Sequence, residues 1–108
     1  MRWLLFAILP ISTYGQVSFT YAGLSQIVAC TGQSVEVIWD DHDDITETTL
    51  GDCISPPTPG GFTYGTQPPG QVVTFSSNEL SAAPGTTRYF KSFNCMIGGV
   101  RFEVSCPA

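Results

Sequence analysis

The chain has 108 residues and carries nine Asp and Glu against four Lys and Arg, a formal net charge of -5 at pH 7. Nucleic acid and anionic membrane both call for clustered Lys and Arg, so this excess of carboxylates argues against either partner. The length suits one domain with one core, small enough to gain from covalent staples.

The chain opens with MRWLLFAILPISTYG, in which Arg2 precedes an apolar run from Trp3 to Ile11 and the small residues Thr13 and Gly15 follow. That is the layout of a secretory signal peptide. Residues 1–15 are assigned to it, with cleavage after Gly15, and residues 16–108 to a single domain. The apolar run is far shorter than the ~20 residues needed to cross a bilayer, and no later segment could span one. Removing residues 1–15 from the 108 leaves 93, in which Arg88, Lys91 and Arg101 face nine acidic residues for a net charge of -6. No Asn-x-Ser/Thr site is present, so N-glycosylation is not expected.

Along the mature chain every long segment reads as strand or turn. VSFTY (17–21) alternates Val17, Phe19 and Tyr21 against Ser18 and Thr20, and SVEVIW (34–39) sets Val35, Val37 and Trp39 on one face. Period two is the mark of a half-buried strand, and Thr31-Gly32 between them signals a turn. DDHDDITETTLGDC (40–53) and ISPPTPGGFTYGTQPPG (54–70) then read together as a long surface loop, acidic first and afterwards too dense in Pro and Gly for a regular element. QVVTFSS (71–77) returns to strand, SAAPGTT (81–87) turns, and RYFKSF and GVRFEVSC complete the pattern. In the last, Val100, Phe102, Val104 and Cys106 share one face, which points Cys106 into the core. SSNELSAA (76–83) could form at most one helical turn. Several short strands between Gly/Pro turns define an all-β fold, a sandwich or barrel.

Cys30, Cys53, Cys95 and Cys106 are even in number and show no Cys-x-x-Cys spacing, so two structural disulfides are expected in a secreted chain. Spacing alone leaves three pairings open.

The order of these parts resembles the cupredoxins, and within them the phytocyanin-like and fungal extracellular members. VEVIWDDHDDITETTLGDC looks like the family's strand, His segment and following cysteine; PGGFTYG is similar to a Gly-Gly-Phe-x-x-Gly segment; TRYFKSFNCMIGGVRFEV resembles the closing ligand loop and final strand. The resemblance implies a Greek-key β-sandwich of about seven to eight strands. It also implies that Cys53 bonds Cys95, which leaves Cys30 for Cys106. Carried over residue by residue, the copper pocket of the family falls on His42 or, with no insertion, Asp43; on Ser92 for the thiolate; on Asn94 for the second imidazole; and on Gly99 for the axial methionine.

A type-1 copper site needs two imidazole nitrogens, a thiolate and a weak axial ligand. The chain has one histidine, and the segment between its Tyr-Phe pair and Cys95 is shorter than the family's. The expected protein is therefore a small secreted cupredoxin-like module that has lost the copper site, has no cofactor and no catalytic residues, and works as a monomeric extracellular binding or structural protein. Its partner would be a protein or a carbohydrate; Phe62 and Tyr64 in the Pro/Gly loop either pack back onto the core or offer such a partner an apolar contact. Two alternatives stand beside this reading. One is an electron-transfer copper protein with an atypical site built from Cys95, Met96 and His42. The other is a surface cation site in Asp40–Asp44, with His42 and Asp43 as candidate ligands.

Overall fold

A computed structural model describes residues 15–108. The signal-peptide reading of residues 1–15 falls, except for Gly15, outside the described residues.

Among the described residues eight strands form two sheets: β1 (Val17–Tyr21), β2 (Leu24–Val28), β3 (Val35–Trp39), β4 (Asp43–Thr48), β5 (Thr63–Gln67), β6 (Val72–Phe75), β7 (Thr86–Lys91) and β8 (Arg101–Cys106). A one-turn helix, α1 (Cys95–Gly98), lies between the last two. The smaller sheet has the order β1-β3-β6 and the larger β2-β8-β7-β4-β5. This is the all-β Greek-key sandwich expected from the sequence. β1 and β2 are one stretch of chain shared between the sheets, parallel to β3 and to β8 respectively. The stretch breaks at Gly23, whose φ of 57° only glycine adopts at little cost.

Alternation decides which side chains meet between the sheets. Val35, Val37 and Trp39 of β3 and Phe102, Val104 and Cys106 of β8 are all buried, as period two requires. Their aromatic members interlock. Phe90 stacks on Phe102 with ring centroids 4.7 Å apart, and Tyr21 meets Phe102 edge-on at 5.3 Å. Such pairs contribute about 0.5–1.5 kcal/mol each beyond the area they bury.

The long surface loop over 40–70 needs correction, because it contains two strands of the larger sheet. β4 is acidic in sequence, yet Asp43, Ile45 and Thr48 are buried. Its pairing with β5 and β7 supplies the backbone partners that propensity alone does not. Phe62 and Tyr64 at the head of β5 pack inward, edge-on to Phe75 at 5.3 and 4.9 Å. Both are only partly buried and lie against the core, in the position of packing residues.

Two disulfides, Cys30–Cys106 and Cys53–Cys95, hold the ends of the sandwich. The first fastens the stretch after β2 to the end of β8, where the two strands already run side by side. The second joins the loop after β4 to the start of α1. No helix among the described residues is long and apolar enough to cross a membrane.

A buried polar cluster as candidate functional site

One end of the sandwich gathers the turn after β3, the start of β4 and the loop between β7 and β8. Period two directs Asp43, the first residue of β4, inward and leaves His42 outside. Asp43 is wholly buried, whereas the His42 side chain is 66% exposed and its nearest charged neighbour is Asp41 at 3.5 Å. The backbone at Asp43 is fixed by the Trp39 indole N–H, which donates to its carbonyl at 2.8 Å.

Ser92 follows β7 and is 1% exposed. Its Oγ lies 2.5 Å from Asp43 Oδ1 and 2.8 Å from Asn94 Oδ1, and it accepts the Asn94 backbone N–H at 3.2 Å. Of the positions assigned to the copper pocket, the fold thus brings together Asp43, Ser92 and Asn94. His42 and Gly99 stay apart: Gly99 ends α1 in the left-handed region, at φ 69°, with its N–H on the Cys95 carbonyl.

The cluster has a proton question. One hydroxyl proton cannot serve two acceptor oxygens, so either Asp43 is neutral and donates to Ser92, or the Asn94 amide is turned to present its NH2. Asp43 Oδ2 is buried with no hydrogen-bond partner, and an ionised oxygen in that position is costly. This favours the neutral acid and the chain Asp43 to Ser92 to Asn94. Burial is the largest influence on the Asp43 carboxyl and pushes its pKa up, opposed by the Ser92 hydrogen bond and reinforced by the charges of Asp41 and Asp44. The Tyr21 phenol, which donates to the Asp44 carbonyl at 2.8 Å, is pushed up as well, first by burial and then by Asp43 and Asp44.

A raised folded-state pKa stabilises the fold below the unfolded value, and that contribution is lost as pH rises through the folded value. Wild type is therefore expected to lose stability on this account from the ordinary carboxylate range upward. Asp43→Asn keeps the shape and a donor for Ser92 but cannot ionise. Urea unfolding from pH 4 to 8 should show the variant gaining on wild type as pH rises, by about 1–3 kcal/mol at the alkaline end, the cost of an unsatisfied buried group. A difference between the two that does not change with pH would overturn the neutral-acid assignment.

The donors present do not fit type-1 copper. They are a carboxyl, a hydroxyl and a carboxamide, all hard and mutually hydrogen-bonded, with neither imidazole nor thiolate among them. The alternative set of Cys95, Met96 and His42 does not assemble either, since Cys95 Sγ is bonded to Cys53 while Met96 and His42 face solvent. The acidic run disperses too. Asp40 and Asp41 are exposed, Asp43 is buried, and Asp44 accepts the Phe93 backbone N–H at 2.6 Å and the Thr46 hydroxyl at 3.1 Å. Among the described residues no three His, Cys, Asp or Glu side chains converge on a point.

Sequence reasoning missed the most exposed feature at this end. Phe93, Met96 and Ile97, in and beside α1, are 66%, 71% and 92% exposed. The signal was present: three large apolar residues in a segment bounded by Gly98-Gly99, too short to bury them all.

Among solved structures, the chain is similar to auracyanin B, with a TM-score of 0.50 and 15% identity over 87% of this chain and 89% of that one. An oxidised mutant of amicyanin gives 0.46 and 9%, covering 87% and 82%. A dithionite-reduced auracyanin from the photosynthetic bacterium Roseiflexus castenholzii gives 0.43 and 17%, covering 87% and 96%. No protein-family model matches the chain, and no curated protein matches it by sequence. At these identities the likeness is one of fold, and auracyanin B carries it: the chain has the cupredoxin fold.

Proposed function

We propose that this chain is a small secreted module that uses the cupredoxin sandwich for extracellular binding, with no type-1 copper and no catalysis. The observation that carries the reading is the Asp43–Ser92–Asn94 cluster. Three positions that the resemblance assigns to copper ligands hold buried or half-buried oxygen groups that hydrogen-bond to one another. Two disulfides and an acidic surface agree with an oxidising, extracellular setting. No side-chain pair in the cluster supplies an activated nucleophile, because the only base beside Ser92 is a carboxyl that burial drives toward its neutral form.

Loading the purified protein with Cu(II) tests this directly. The solution is expected to stay colourless, and an intense blue thiolate-to-copper band would sink the reading. Calorimetric titration of wild type and His42→Ala with Cu²⁺, Zn²⁺ and Ca²⁺ checks the acidic turn. Any heat observed should be the same for both proteins, and a loss confined to the variant would return His42 to the list of ligands.

A further inference from the structure

We infer that the exposed apolar knob of Phe93, Met96 and Ile97 is a docking surface for a basic, amphipathic protein segment. The inference deepens the proposed binding role and rests on it. Monomeric soluble chains scatter single apolar residues over their surfaces, but a contiguous group of large ones marks an interaction site. Here three fall within five consecutive residues, and Ile54, 76% exposed, is added from the neighbouring loop. The Cys53–Cys95 disulfide brings that loop in, since Ile54 and Met96 each adjoin one of its half-cystines.

The knob is also held rigid. Ser92 is anchored to Asp43, the Phe93 N–H to Asp44, and α1 is closed by Gly98 and Gly99 N–H groups on the Asn94 and Cys95 carbonyls, both at 2.8 Å. A segment bonded at both ends and stapled through Cys95 has little conformational entropy left to lose on binding.

Charge selects the partner. Asp40, Asp41 and Asp52 are exposed in the turns that flank the knob. The two nearby cations are turned under the loop, half-buried: Lys91 Nζ donates to the Cys53 and Ser55 carbonyls, and Arg101 to the Gly99 carbonyl. An apolar centre with an acidic rim is complementary to apolar side chains interleaved with Lys or Arg. It repels anionic lipid, and it repels a second copy of this chain, whose mature net charge is -6 from three basic and nine acidic residues.

The test uses the purified mature chain and two synthetic peptides of equal charge and length, about 14 residues: an amphipathic Leu/Lys helix and a lysine control in which every Leu is replaced by Ser. At physiological salt the Leu/Lys peptide is expected to bind about tenfold tighter or more. The amide signals it moves should centre on residues 93–97 and 40–44. Phe93→Ser with Ile97→Ser should erase the tenfold advantage and leave binding of the lysine control unchanged. Both side chains stand in solvent, so the variant's melting temperature should match wild type. Equal affinity for the two peptides, shifts centred elsewhere, or an advantage that survives the double substitution overturns the inference. So does dimerisation through the knob in sedimentation, or capture by phosphatidylserine vesicles. Any of these leaves the copper-free reading intact, whereas a blue copper band would overturn that reading and leave the peptide result standing.

Discussion

Replacing Cys30 and Cys106 together by alanine is expected to lower the unfolding free energy by about 4.5 kcal/mol, the chain-entropy estimate for releasing a loop of this size. The bond spans 76 residues, against 42 for Cys53–Cys95, whose removal should cost slightly less, about 4 kcal/mol. A small domain has roughly 5–15 kcal/mol in total, so the first variant would be marginal. Native contacts at the site give little reason for an enthalpic surprise. β2 and β8 keep their parallel register from Leu24 opposite Arg101 to Val28 opposite Ser105, and Ala29 N–H reaches the Ser105 carbonyl at 3.0 Å without help from sulfur. The bond therefore acts mainly on the unfolded chain. Guanidinium unfolding of both double variants decides the matter. A loss below about 1 kcal/mol for the longer loop would mean that the unfolded ensemble is already compact, and the entropic account would fail.

The second large effect lies in the pair between Glu47 and Arg88. The guanidinium grips both carboxylate oxygens, with Nε and Nη2 at 3.1 and 2.8 Å, and donates through Nη1 to the Ser81 carbonyl at 2.8 Å. Glu47 also accepts the Phe62 N–H at 3.0 Å, so this carboxylate adds to the backbone bonds from Glu47 and Thr58 that hold the Pro/Gly segment to the sheet. Burial raises the Glu47 pKa, but Arg88 and the Phe62 N–H outweigh burial and bring it below the ordinary value. Its stabilising contribution is present above the unfolded value and fades as pH falls through the folded one. Arg88→Met should cost about 3 kcal/mol near neutral pH, the low end for stripping one partner from a buried pair, because both groups keep some solvent contact. Adding Glu47→Gln should recover more than half of that loss, since the amide still accepts from Phe62 and leaves no unpaired charge. A double variant no better than the single one would show that the loss comes from the guanidinium's other contacts, Ser81 and the Phe90 face.

These two features show what the sequence could and could not display. Strands whose apolar side is buried and polar side wet announce themselves, as β1, β3 and β8 did. β4 hid because its first inward residue is an aspartate, and a carboxyl reads as solvent-exposed until a buried serine is found opposite it. β2 hid for the converse reason: at the edge of its sheet, Leu24 and Val28 face outward and only Ile27 is buried. The site was legible only through the family's order of parts. Asp43 and Ser92 are 49 residues apart, and nothing in either segment alone indicates that they meet. Phe62 and Tyr64 drew notice as aromatics in a Pro/Gly loop, but the sheet they join turns them onto Phe75.

The Cys30–Cys106 bond has a geometric consequence as well. The described backbone enters beside Gln33, whose side chain contacts Gly15, and leaves at Ala108 beside Gly85, so both ends of the described segment sit at the pole of that disulfide. The knob and the acidic turns occupy the opposite pole, a full strand length away. The molecule thus has a handle and a head. Attaching it to a bead, a fluorophore or another domain through Ala108 would leave the head facing outward and unobstructed.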